Sequence, residues 1–292
     1  MSREAGGFTI RDLRALLDLE PIERNIYRGR SRDILGSGRV FGGQVLAQAL
    51  VAAQRTVEEG RACHSLHGYF ILPGDAGLPI VYFVDRLRDG KSFTTRQVTA
   101  IQKGAAIFSM SASFQISEAG PTHQVEMPEV AGPEGLPSEL DLIRQEADQI
   151  PERLRGLYTQ DRPIEFRPVD PTDPFHPEPR PPRRYTWFRA IGDVGDDPLE
   201  QQAVLAYTSD YGLLGTALLP HCLTFENPHL QAATLDHALW FHHAFRVDEW
   251  LLYVTDSPSA SGARGFTRGS VFTRDGVLVA SVAQEGLIRV RG

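Results

Sequence analysis

The chain reads as two diverged copies of one unit, separated by a stretch that cannot belong to the sheet of either. Val45-Leu46 is matched by Leu213-Leu214 at an offset of 168, and His67 by His237 at 170. Thr95-Arg96 with Gly104 is matched by Thr267-Arg268 with Gly276 at 172. Offsets that grow slowly and in order are what a duplication followed by small insertions produces. Each copy opens on a helix-like apolar stripe: Val45, Leu46, Ala49, Leu50 and Ala53 in the first, Leu213, Leu214, Ala217 and Leu218 in the second. Strand-like runs follow at residues 80–87 and 250–255. Two longer strand candidates then close each copy, residues 95–101 with 106–116 and residues 267–273 with 277–290. The tight turns between them are Lys103-Gly104 and Asp275-Gly276, a hairpin signal because both central positions of such a turn need φ > 0. One helix followed by four or five mostly antiparallel strands is an α+β architecture.

Residues 121–182 hold 13 of the 20 prolines. Proline removes a backbone donor, so this stretch is excluded from a central strand and reads as a linker with one short helix near residues 139–150. The expected division is a first unit over 8–118, a proline-rich linker over 119–182 and a second unit over 183–291. A net charge of −7 argues against a nucleic-acid binder, which needs a basic surface against phosphates. Two distant cysteines, Cys63 and Cys222, suggest a reducing compartment. The opening MSREAGGFTIRDLRALLDLE has no long apolar stretch, so no export leader is expected. No window of the chain approaches the length of uncharged apolar sequence a spanning helix needs, so no membrane span is expected, and the setting is read as cytoplasmic.

Several long motifs are similar to those of the type II acyl-CoA thioesterases. In the first copy they are Val40-Phe41-Gly42-Gly43-Gln44, residues 64–70, Pro73-Gly74-Asp75, residues 87–93 and Ser111-Ala112-Ser113-Phe114-Gln115. In the second they are Ser209-Asp210-Tyr211, residues 233–237, residues 259–266, residues 275–281 and Gln284-Glu285-Gly286. The resemblance spans nearly the whole chain. It implies a double hotdog fold, two fused units in which one helix is wrapped by an antiparallel sheet. It also implies hydrolysis of fatty acyl-CoA without a covalent intermediate, and a homo-oligomer, dimer or tetramer. A carboxylate, a hydroxyl residue and a glutamine share a water in that family. The matching positions are Asp210, Thr234 and Gln284, expected as catalytic residues.

Each of these side chains also has an ordinary reading. Asp210 precedes an apolar helix pattern and would make a good N-cap, and Thr234 is a residue strands favour. Gln284 is the more telling, because an amide inside an apolar strand must find partners if it is buried. By the repeat offsets Asp210 corresponds to Gly42, Thr234 to His64 and Gln284 to Ala112, so only the second copy carries the polar set. Gly42 and Gly43 before a helix could offer backbone N–H groups to substrate or simply form a tight turn. His64 could line the site or be structural, and these three residues are the expected substrate-binding set. There is no Gly-x-Ser-x-Gly, no His-Glu-x-x-His and no complete dinucleotide-binding glycine motif, so no cofactor or metal is expected. The alternatives are a non-catalytic acyl-CoA-binding hotdog protein or a hotdog enoyl-CoA hydratase, which would usually show an Asp and His pair at the start of its helix.

Overall fold

The computed structural model describes residues 7–291, so the first six residues of the segment read as lacking an export leader lie outside it. In chain order the elements are α1 (Ile10–Leu17), β1 (Glu20–Glu23), β2 (Ile26–Gly29), α2 (Gly42–Gln54), β3 (Arg61–Phe70), β4 (Ile80–Asp89), β5 (Phe93–Gln102) and β6 (Ala105–Ile116). The proline-rich stretch adds α3 (Glu139–Gln145), α4 (Glu152–Tyr158) and β7 (Ile164–Pro168). Then come β8 (Arg183–Ala190), α5 (Pro198–Ser209), α6 (Leu213–Thr216), β9 (Leu230–Thr234), β10 (Asp236–Phe241), β11 (Leu251–Ser261), β12 (Arg264–Thr273) and β13 (Leu278–Val290). No helix among the described residues is long and apolar enough to cross a membrane.

All strands join one sheet in the order β1-β2-β4-β5-β6-β3-β10-β13-β12-β11-β8-β7, with β9 also paired to β13. The two halves meet edge to edge where β3 and β10 run antiparallel, Leu66 opposite Leu239 and Tyr69 opposite Asp236. The linker's strand β7 sits at one end of the sheet, an edge place that its Pro168 tolerates. Ahead of it, the Ala131 carbonyl accepts from Trp187 Nε1 at 2.8 Å. That contact helps cover a small apolar cluster of Trp187, Leu252 and Phe272.

The long helices α2 and α5 lie beneath the sheet, buried almost all round. They run antiparallel. Gly43, at the start of α2, touches the Tyr207 backbone near the end of α5. At the other end Gln54 Nε2 donates to Leu199 O at the start of α5 (3.4 Å). A buried glutamine needs partners, and neighbouring elements supply them: Gln48 Nε2 donates to Leu16 O on α1 (2.7 Å) and Gln202 Nε2 to Cys63 O on β3 (2.8 Å).

Two expectations need correction. The second unit's long helix is α5, upstream of the predicted Leu213–Leu218 stripe. Gly212, at φ 70°, breaks the chain between α5 and the four-residue α6. The stripe of α5 is disguised because Gln201, Gln202, Thr208 and Ser209 are buried on it with partners. The two hairpin turns also differ. Lys103 and Gly104 both take positive φ, 51° and 77°. In the second turn only Gly276 does (φ 89°), and Asp275 instead accepts from Thr273 Oγ1 at 2.6 Å.

Candidate active site

Asp210 caps the C-terminal end of α5, and its side chain is only 6% exposed. Because α2 and α5 are antiparallel, that end faces the N-terminus of α2, where the first N–H groups have no intrahelical partner. The Gly43 N–H donates to the Asp210 carboxylate. Thr234 Oγ–H and Gln284 Nε2 donate to it as well, the latter at 2.6 Å from Oδ1. Burial nonetheless dominates and raises the Asp210 pKa above the ordinary aspartate range, with those donors pulling the other way. Phe41, Phe70, Tyr207 and Tyr211 pack around this end of the helix pair and keep it apolar.

Strand geometry explains how Thr234 and Gln284 arrive. Leu235 interrupts β9 and β10. Its N–H bonds to Glu285 O and its carbonyl accepts from Phe70 N–H, both at 2.9 Å. This kink sits beside the β3–β10 junction. Gln284 lies on the inward face of β13, 1% exposed and paired with Thr267. Its Nε2 lies 3.4 Å from Thr234 Oγ1 and 3.2 Å from His237 Nδ1. Its Oε1 is buried and has no partner within the protein.

Sequence reasoning missed two members of this cluster, His237 and Ser209. His237 is 1% exposed, with Nε2 3.0 Å from Ser209 Oγ. Burial lowers its pKa to about 3, so the ring is neutral near pH 7. Its 3.8 Å approach to Asp210 is therefore no ion pair there. The available signal was parity: His237 shares its strand face with buried Leu239 and Phe241, and a histidine on such a face needs partners.

The structure brings together Asp210, Thr234, Gln284 and Gly43, with Gly42 against them: a Cβ on Gly42 would lie 2.7 Å from Asp210 Oδ2. His64 stands apart. It occupies a bulge in β3 between Cys63 and Ser65, bonds Ser113 Oγ at 2.8 Å and meets Phe93 edge-on. Antiparallel pairing puts it beyond the Ser65–Trp240 end of the junction, while Thr234 lies beyond the Tyr69–Asp236 end.

The repeat must also be rephased. The register that pairs Ala238 with Ala283 sets His237 opposite Gln284, which pairs with Thr267. In the first unit Leu66 pairs with Ala112, and Ala112 with Arg96. Gln284 thus does correspond to Ala112, but His237 corresponds to Leu66 and Thr267 to Arg96. Thr234 pairs with Gly286 as Cys63 pairs with Phe114, so its counterpart is Cys63, not His64. Asp210, which follows α5, corresponds to the residues that follow α2 and not to Gly42. Fully buried Arg96 fills that end, donating from Nε to Thr56 Oγ1 (2.7 Å) and from Nη2 to Thr56 O (2.9 Å).

Gly43 has a structural reason as well. A Cβ there would strike the Tyr207 backbone oxygen and the Phe41 ring, so the space belongs to α5 and not to substrate. Gly43→Ala is expected to push the helices apart, cost about 1–3 kcal/mol and loosen the N–H grip on Asp210. Denaturant unfolding checks this, and an unchanged midpoint would refute it.

Comparisons with known proteins agree along the chain. The family model described as acyl-CoA thioesterase matches residues 154–287, and that of the acyl-CoA thioesterase N-terminal domain matches residues 32–115. The chain is 43% identical over 274 residues to acyl-CoA thioesterase 2 of Haemophilus influenzae, covering 94% of this chain and 96% of that one. It is 42% identical to human acyl-coenzyme A thioesterase 8 over 94% of this chain and 88% of the other. Among solved structures, an acyl-CoA thioesterase II, TesB2, from Mycobacterium marinum superposes with a TM-score of 0.79 at 45% identity, covering 96% of this chain and 99% of that one. A hotdog-fold protein from Alicyclobacillus acidocaldarius superposes at 0.77 with 18% identity, over 96% of this chain and 98% of the other, a likeness of fold alone.

Proposed function

The chain belongs to the acyl-CoA thioesterase family, and we propose that it hydrolyses fatty acyl-CoA by direct attack of a water held by Asp210, Thr234 and Gln284. The observation that carries this reading is the unpaired Gln284 Oε1 beside a buried carboxylate. A buried acceptor without a donor is costly, and a water proton supplies the donor. An ordered water needs two to four polar partners, which Asp210, Gln284 Oε1 and Thr234 Oγ can provide.

In the proposed reaction Asp210 takes one water proton as the oxygen bonds to the thioester carbonyl carbon. Desolvation makes that carboxylate a stronger base than an exposed aspartate. The backbone N–H of Gly42, next to the one that holds Asp210, is the donor suited to the developing oxyanion. Collapse of the tetrahedral species breaks the C–S bond, and the proton held by Asp210 passes to the departing sulfur. The products are a fatty acid and CoA. The same reading carries one such site per chain, with the Arg96 end closed, and a homo-oligomer, dimer or tetramer, acting in the cytoplasm in lipid metabolism.

Asp210 and His237 do lie together, as a hydratase would want. However, Gln284 occupies one ring nitrogen and Ser209 the other, so the imidazole has no free nitrogen for substrate. The acyl-CoA-binding alternative gives no reason for a buried, destabilised carboxylate. Release of free thiol from palmitoyl-CoA, followed with a thiol reagent, is expected to be enzyme-dependent and multiple-turnover. Binding of palmitoyl-CoA without thiol release would leave only the binding reading.

A further inference from the structure

We propose that His237, backed by Ser209, is a positioning residue that fixes the plane of the Gln284 amide and so aims its Oε1. The inference rests on the water site just proposed. The directions of the hydrogen bonds are determined by one end of the chain. Ser209 Oγ–H donates to Ala206 O at 2.9 Å, so at 3.0 Å from His237 Nε2 it can only accept. His237 therefore carries its proton on Nε2, and Nδ1 is a lone pair. That lone pair accepts one N–H of Gln284 at 3.2 Å, while Asp210 Oδ1 accepts the other at 2.6 Å. With both hydrogens taken, Gln284 Nε2 has none for Thr234, in keeping with the 3.4 Å separation and with Thr234 donating to Asp210.

An amide held at one N–H can still pivot about that bond. Held at two acceptors on different elements, it cannot. The two anchors are also tied to each other, since Ser209 and Asp210 are neighbours in the chain. Ser209, His237, Gln284 and Asp210 form a closed ring, and Tyr253 OH pins it further by donating to Ser209 O at 2.8 Å. The first unit lacks the amide and lacks the ring: Leu66 faces Ala112 where His237 faces Gln284. That counterpart shows that leucine fits this place in the fold.

The test is steady-state turnover of palmitoyl-CoA by His237→Leu, His237→Asn, Ser209→Ala, Gln284→Ala and the His237→Leu/Gln284→Ala pair. His237→Leu is expected to lower kcat about 10-fold or more, the scale of a small misplacement, with KM within about twofold. In the Gln284→Ala background the same change should alter kcat less than about twofold, because no amide remains to be aimed. His237→Asn, whose carbonyl oxygen can stand in for Nδ1, should recover most of the lost kcat. Ser209→Ala should act as His237→Leu does but more weakly, and it carries the test if the leucine variant does not fold. An equal loss of kcat in both backgrounds, or no loss in His237→Leu and Ser209→Ala while Gln284→Ala is impaired, would overturn the inference. Full activity in Gln284→Ala would instead remove the water site on which it rests.

Discussion

Asp210→Ala is expected to lower turnover of palmitoyl-CoA by about 10²–10⁴-fold, the range for loss of a general base, with the chain still folded. The carboxylate gathers donors from three directions: Gly43 at the start of α2, Thr234 at the end of β9 and Gln284 on β13. Alanine leaves the other polar groups in place but gives the water no base. In the proposed reaction Asp210, Thr234 and Gln284 share one water, so double and triple changes should fall well short of additive. Turnover above half of the unaltered level in Asp210→Ala would end the assignment.

The raised pKa of Asp210 adds a pH signature with a definite sign. In the proposed reaction turnover needs the ionised form, so it should decline on acidification at a higher pH than an exposed aspartate would allow. Stability runs the other way. A group whose folded pKa lies above its unfolded value contributes stability below the unfolded pKa and loses it as pH rises through the folded pKa. Compared with Asp210→Asn, which cannot titrate, the unaltered protein should therefore lose stability as pH rises from acid toward neutrality. Denaturant midpoints for the two proteins across that range test this.

Arg96→Ala is expected to cost about 2–5 kcal/mol of stability, on the scale of large-to-small core changes. The side chain is 0% exposed and every guanidinium nitrogen is engaged. Besides Thr56, it donates from Nη1 to Arg88 O and Thr95 O, each at 3.0 Å, and from Nη2 to Asp89 Oδ1 at 2.5 Å. Removing it takes a donor from the partly buried carbonyls of Thr56, Arg88 and Thr95 and leaves a void the size of an arginine side chain. Arg96 lies at the opposite end of the helix pair from Asp210, so kcat of the folded protein should stay near its unaltered value. A midpoint shift worth less than about 1 kcal/mol would show that the end is held closed by something else.

How much of this was legible in the sequence depended on whether the deciding contacts were local. Lys103-Gly104 announces its hairpin because a left-handed turn is a property of two residues. Gln284 announces itself because an amide in an apolar strand implies a partner nearby. The helix α5 stayed hidden because Gln201 and Gln202 look polar in sequence and are satisfied largely by distant segments, Val247 and Cys63, with Gly195 just ahead of the helix taking the remaining Gln201 bond. The repeat was recognisable, yet its phase slipped. The closing hairpin of the second copy is one residue longer, Phe272 pairing with Leu278 where Ile101 pairs with Ala106. Aligning the copies on their turn glycines therefore moves the preceding strand by one residue, and one residue exchanges the two faces of a strand. Matching Thr95-Arg96 to Thr267-Arg268 paired inward Arg96 with outward Arg268, whereas Arg96 shares its place with Thr267. His237 was missed because its meaning lies in Ser209, 28 residues earlier, and in the helix end that Ser209 closes.

Joining the two units in one polypeptide removes a constraint that separate subunits would obey. A twofold dimer of identical chains repeats every substitution at both ends. An arginine that filled one helix end would fill the other, and an aspartate placed at one would be buried, at its energetic cost, at both. Covalent linkage breaks that equivalence. One end can hold a rigid, fully bonded cation while the other keeps a strained carboxylate, so the pseudo-symmetric body acquires a front and a back. The stiffness contributed by Arg96 at the back can offset the instability that Asp210 introduces at the front, a division open to this chain and closed to a symmetric pair.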